Sequence, residues 1–265
     1  MEVKGSNPLS PTRLDFHIYM PSIEHDSFTA TTVNTHYGRA IATADAARDF
    51  ISSDILLMQE VLDIDEKTIA RNLGSIGLSI VSINPTTGLA IAVSERFKPT
   101  GSQQYSLKPQ SKLAGVTNAV GLKPRFRKRG VIVASLETDG QSLAVATASP
   151  IVAARPISRS QQINKMSDLI AENFASGPLI LGADMNHYPA PNKVDKQMAN
   201  RLQLKYVDNT DPTYFLNGTK HAWLKHLGLP DGRLDALLYR NLTEINSSTK
   251  TVKSDHDALS GTFEF

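Results

Sequence analysis

Pro178-Leu-Ile-Leu-Gly-Ala-Asp-Met-Asn186 is the stretch that decides the architecture. Its first four residues form a short apolar run without polar alternation, which suits a strand buried on both faces. The run then stops on a carboxylate and an amide. Ile55-Leu-Leu-Met58, closed by Gln59-Glu60, repeats the pattern. Working outward, the spacing of Ile163, Met166, Leu169 and Ile170 predicts a helix from Ser158, a candidate N-cap, to Phe174. A second helix is expected over Val194 to Leu204, with closing strands at Leu234 to Tyr239 and Ala258 to Phe263. Gly130 to Thr138 and Ser142 to Thr147 are joined by Asp139-Gly140, the strongest hairpin signal in the chain.

Nearer the N-terminus, Phe28 to Asn34 reads as a strand, Arg39 to Ser52 and Asp65 to Leu73 as helices. Strands are expected at Ser79 to Ile83 and Leu89 to Val93, around the turn Asn84 to Gly88. Strands outnumber helices, and hairpins mix with strand-helix-strand units. The class is therefore α/β or α+β with much antiparallel pairing, and two facing sheets with helices outside would account for the buried strands. Residues 1–27, with Pro8, Pro11 and Pro21, read as an arm carrying a short strand at Leu14 to Tyr19; residues 28–265 read as one domain.

The chain has 265 residues, 40% of them hydrophobic, which permits a sizeable core. A formal net charge of +2 makes no strong claim on nucleic acid or membrane, so any such claim is local. With no cysteine, disulfides, thiol catalysis and zinc-thiolate sites are excluded, leaving oxygen and imidazole as metal ligands. No apolar run suits a signal peptide or a membrane span, so a cytoplasmic monomer is the expectation.

Polar clusters recur where the apolar strands stop: Asn34, Gln59-Glu60, Asp184-Met-Asn186, Arg233-Leu-Asp235 and Ser254-Asp-His256. Each alone fits an ordinary loop. Together, carboxylates, amides and a histidine at sheet edges describe a hard-cation site for Mg²⁺ or Mn²⁺ that polarises phosphate oxygens.

In this order the clusters resemble the endonuclease/exonuclease/phosphatase (DNase I-like) family from about residue 28 to 265. The resemblance implies a four-layer α/β sandwich, two facing mixed β-sheets flanked by helices, with one metal-dependent site at the sheet edge. It implies a divalent-metal-dependent phosphodiester hydrolase, foremost a nuclease acting on DNA or RNA by attack of water on phosphorus. A phosphomonoesterase or lipid-headgroup phosphodiesterase is the alternative, and a weakened member that binds phosphate ligands is a third.

By the same resemblance, Glu60 is the principal Mg²⁺ ligand and Asp255 a metal-side or water-side carboxylate. Asp184 orients or deprotonates water, and Asn186 donates to a phosphate oxygen. His256 contacts the phosphate or moves a proton, with Asp235 fixing its tautomer. Asn34 lines the pocket near metal and phosphate, and Gln59 braces the ligands. The family's histidine before the long helix is missing, because its position falls on Ala148 in Val145-Ala-Thr-Ala-Ser-Pro150.

Two histidines stand where they would compensate. His36, two residues past Asn34, lies where some members place an acidic ligand, and as a ligand it would favour Mn²⁺; His187 follows the Asp-x-Asn motif. For both, a loop histidine bonded to backbone is the plain alternative. The basic run Lys123 to Arg129 reads either as phosphate contact, through Arg125 and Arg127 with Phe126 to stack, or as a solvated segment where a strand begins. Asp211 to Gly232 is long and irregular, and its Trp223 offers a stacking face or a packing anchor.

Overall fold

The computed structural model describes residues 27–107, 129–150, 156–185, 193–209, 211–213 and 234–265. Two mixed six-stranded sheets lie face to face. The first, in spatial order, contains β11 (Thr243–Lys250), β12 (Ala258–Glu264), β1 (Phe28–Asn34), β2 (Ile55–Gln59), β4 (Leu89–Ser94) and β3 (Leu78–Asn84). The second contains β5 (Lys98–Leu107), β6 (Arg129–Thr138), β7 (Gln141–Ser149), β8 (Leu179–Asp184), β10 (Asp235–Arg240) and β9 (Lys205–Tyr206). The pairs β1–β2 and β7–β8 are parallel, and the other neighbours are antiparallel.

Three apolar clusters make this a four-layer sandwich. Between the sheets lie Ala30, Leu57, Ile91, Val145, Ile180 and Leu237. The outer face of the second sheet is covered by α3 (Pro156–Asn173) and α4 (Lys193–Arg201), through Ile163, Met166, Ile170 and Met198. The outer face of the first sheet is covered by α2 (Glu66–Gly74), through Ile69 and Leu73, and by Ala40, Ile41 and Phe50 from the segment that carries the short α1 (Ala44–Ala47), over Leu56 and Met58. Each central strand is thus covered on both faces, the reason its sequence runs apolar without alternation. At Gly182 the sheets approach closely: a Cβ there would meet Thr32 Oγ1 at 2.7 Å and Leu57 Cδ1 at 2.8 Å.

Several expected elements change. The helix expected over Arg39 to Ser52 is broken into a 3₁₀ turn at Arg39–Ile41, the four-residue α1 and a second 3₁₀ turn at Arg48–Phe50. Thr43 caps α1 by accepting from Ala46 N, which starts a new helix inside the expected one. The long helix begins at Pro156, two residues before the expected cap Ser158, because proline is favoured in a helix's first turn. Strands β5, β9 and β11 were not anticipated; β5 and β11 are largely exposed sheet edges without an apolar stripe. The Asp139-Gly140 hairpin forms as read, with φ of 49° and 77°. The expected N-terminal arm and its strand lie outside the described residues. Among the described residues, no helix is long and apolar enough to cross a membrane.

Candidate active site

Asp184 is the last residue of β8 and Asp235 the first of β10, and antiparallel pairing sets them directly opposite each other. Both are buried. Thr213 secures the start of β10, its hydroxyl accepting from the backbone N–H of Leu234 and Asp235. His256 arrives from the other sheet, on the segment between β11 and β12, and its Nδ1 lies 2.7 Å from Asp235 Oδ2. Ligand atoms of Asp184, Asp235 and His256 all lie within 4.8 Å of one another. Among the described residues this is the one trio of acids and histidines so close.

Asn34, at the end of β1, joins this trio to the first sheet. Its Nδ2 donates to Asp184 Oδ2 at 2.9 Å, and its Oδ1 accepts from His36 N at 3.0 Å. Ser254 Oγ donates to the Asn34 carbonyl at 2.6 Å and accepts from His256 N at 3.2 Å. One short stretch, Ser254-Asp-His256, is thereby pinned to the end of β1. Gln59 ties the sheets beneath the site by donating to Thr32 Oγ1 at 3.1 Å and to Thr147 Oγ1 at 2.9 Å.

The charges are unbalanced. Burial pushes the Asp184 carboxyl up to about 7, with Asp235 and Glu60 adding to the push and His256 and Arg129 opposing it. For His256 burial works against the charged form, but Asp235, Asp184 and Asp255 outweigh it and raise the imidazole to about 10. A carboxyl poised near neutrality beside an imidazolium suits proton transfer and anion binding.

The backbone is strained where two of these strands end. Glu60, just past β2, has φ 55°, and His36, Tyr37 and Gly38, just past β1, have φ of 45°, 63° and 81°. Non-glycine residues at positive φ cost about 1–2 kcal/mol each, so surrounding contacts must hold them. At His36 the holders are the Asn34 bond and Asp255, whose Oδ1 lies 2.6 Å from His36 Nδ1.

No protein-family model matches the chain, and no curated protein matches it in sequence. Solved structures do. An endonuclease/exonuclease/phosphatase from Bacteroides vulgatus superposes over 90% of this chain and 99% of its own at TM-score 0.69, with 13% identity. The chain has the endonuclease/exonuclease/phosphatase fold. Mannosyl-6-phosphatase from Bacteroides thetaiotaomicron superposes over 90% of this chain and 100% of its own at TM-score 0.64 and 12% identity. TDP2 from D. rerio, complexed with single strand DNA product, does so over 91% and 100% at TM-score 0.64 and 14% identity.

Within this endonuclease/exonuclease/phosphatase fold, the edge of the sandwich gathers Asn34, His36, Asp184, Asp235, Asp255 and His256 through the contacts above. Glu60 is near enough to act on the Asp184 carboxyl. Of the expected metal set Glu60, Asp255, Asn34 and His36, the acids and the histidine do not form a trio as close as that of Asp184, Asp235 and His256. Asn186, His187, Arg125, Arg127, Phe126 and Trp223 lie outside the described residues. Ala148 is fully buried in the cluster under α3, so it brings nothing polar to the site, whereas its neighbours Thr147 and Ser149 carry hydroxyls. Arg129 was passed over as a site residue within the basic run. Its Nη1 donates to Ser149 Oγ at 2.8 Å, and its charge acts on Asp184. A cation at the first residue of a strand, next to a strand lacking its expected histidine, was the available signal.

Proposed function

We propose that this chain is a divalent-metal-dependent phosphodiester hydrolase, and within that class a nuclease. One observation carries the reading: two buried carboxylates and an imidazole meet within 4.8 Å, one carboxyl held near neutrality and the imidazole held cationic. Asp184 accepts the proton of the attacking water, with Asn34 fixing its carboxylate. His256, kept charged by Asp235, donates to a phosphate oxygen as negative charge grows there. Arg129 supplies a second positive charge on the strand whose neighbour carries Ala148 instead of histidine. Asn186, expected to donate to the phosphate, belongs to the same reading.

A divalent cation fits this donor set. Glu60, Asp184, Asp235 and Asp255 converge against Arg129 and His256, and Asp235 Oδ1 is buried with no hydrogen-bond partner among the described residues. All are hard oxygens of the kind Mg²⁺ and Mn²⁺ take. Glu60 would hold the ion at this edge. When bound, the ion supplies Lewis-acid stabilisation of phosphate charge.

The basic run Lys123 to Arg129, with Arg125 and Arg127, favours a polyanionic substrate, and a protein of the same fold is seen with single strand DNA product. A phosphomonoester is the second reading, favoured by the likeness to mannosyl-6-phosphatase. The test is a panel of plasmid DNA, single-stranded RNA, a sphingomyelin analogue and a sugar phosphate, each with Mg²⁺, Mn²⁺ or chelator, for the native chain and Asp184→Asn. Ion-dependent cleavage of a nucleic acid, lost in the variant, is expected. Turnover of the sugar phosphate alone would replace the nuclease by a phosphatase, and no turnover on any substrate would end the enzymatic reading.

A further inference from the structure

His36 and Glu60 leave the adjacent parallel strands β1 and β2 at the same end, two residues beyond Asn34 and one residue beyond its partner Gln59. Both adopt left-handed backbone, at φ 45° and 55°. His36 starts a run of three left-handed residues, which the fold secures through Asn34 Oδ1 to His36 N and Thr35 Oγ1 to Gly38 N. Strain of this sort persists where the side chain's direction is used.

The use is visible in the imidazole. Nδ1 lies 2.6 Å from Asp255 Oδ1, the geometry of a ring N–H donated to a carboxylate, which leaves the lone pair on Nε2. Among the described residues Nε2 has no partner, and the pair is open to solvent, with side-chain exposures of 24% for His36 and 30% for Asp255. His256 makes the same kind of pair with Asp235, but at exposures of 7% and 0%. One stretch, Asp255-His256, thus contributes to two carboxylate–imidazole pairs of different character: a buried one for charge on the phosphate, and an open one. A carboxylate behind a histidine whose far nitrogen is free is the arrangement by which metal-binding histidines are oriented and made more basic.

We propose that His36 is a metal ligand through Nε2, sharing the cation with Glu60, and that Asp255 orients His36 and is not itself bound. This rests on the metal-dependent reading above and deepens it. An imidazole in place of an oxygen ligand shifts the preference from Mg²⁺ toward first-row transition ions.

Mn²⁺ alone is the probe, with electron spin echo envelope modulation reading directly bound ¹⁴N and titration calorimetry reading affinity. The native chain is expected to show ¹⁴N coupling, to keep it in His256→Asn, and to lose it in His36→Asn, where asparagine tolerates the left-handed backbone. His36→Asn should also weaken Mn²⁺ binding at least about 10-fold while changing Mg²⁺ binding less. Asp255→Asn should keep the coupling and weaken Mn²⁺ by about 10–100-fold. Bound Mn²⁺ without ¹⁴N coupling, or coupling that survives His36→Asn and disappears in His256→Asn, overturns this assignment and leaves the hydrolase reading standing. A native chain that binds no Mn²⁺ overturns both.

Discussion

Asp184 and Asp235 face each other across β8 and β10 with both carboxyl groups buried. Like charges directly opposite on an antiparallel pair are unfavourable, the more so without water. The fold tolerates the arrangement in two ways: Asp235 is paired with His256, and Asp184 is held up near neutrality.

This predicts how stability follows pH in chelator. Asp184 is raised from 3.8 to about 7, so its contribution is complete below about pH 4 and is lost as pH rises through 7. His256 is raised from 6.5 to about 10, so its contribution is complete below pH 6.5 and is lost as pH rises through 10. Urea midpoints should therefore fall between pH 5 and 10, and Asp184→Asn should flatten the lower part of that slope. A midpoint that climbs with pH across this range would refute the assignment.

Asp235→Asn keeps shape but removes the charge that holds His256 cationic. We expect kcat to drop about 10²–10⁴-fold, the range for a lost general acid, and the alkaline limb of the rate profile to move to lower pH. An unmoved alkaline limb would mean that another group sets it.

Gly182→Ala places a methyl against Thr32 and Leu57 of the opposing sheet. Overpacking of this kind costs about 1–3 kcal/mol, measurable as a lower urea midpoint without a changed slope. An unchanged midpoint would mean that the sheets separate freely at this point.

Arg129→Ala removes the guanidinium that rests on Ser149 and acts on Asp184. About 10²-fold should be lost from kcat, comparable to one electrostatic donor to the transition state. If the substrate is a nucleic acid and Arg129 contacts its phosphates, the logarithmic salt slope of binding should shrink by about 1. Ser149→Ala should lose less, since it alters only the direction of the cation.

Much of this was readable beforehand, for physical reasons. Ile55 to Met58 and Leu179 to Leu181 carry no polar residue because both of their faces are covered, and Asp139-Gly140 accepts the positive φ that a two-residue hairpin demands. The edge strands Lys98–Leu107 and Thr243–Lys250 were invisible because they face solvent, where nothing imposes an apolar period. The helix over Arg39 to Ser52 had the right spacing of Ile41, Ala44 and Ala47, yet Thr43 offered a competing cap. Within the site, polar residues at strand ends marked which side chains gather. The pairing of His36 with Asp255 and of Asp184 opposite Asp235 depends on register and backbone strain, which no single-sequence pattern carries.

The bond from Gln59 to Thr147 crosses between the two sheets directly below the site. Sheet one supplies Asn34, Glu60 and the Ser254-Asp-His256 stretch, and sheet two supplies Asp184, Asp235 and Arg129. The candidate site is thereby divided between two plates, and its geometry holds only while they keep their alignment. Shear of even an ångström, too small to expose the core, would pull His256 off Asp235 and Asn34 off Asp184 together. In the proposed hydrolase, turnover is in effect a gauge of plate alignment, and under rising urea it should vanish before any loss of secondary structure is seen.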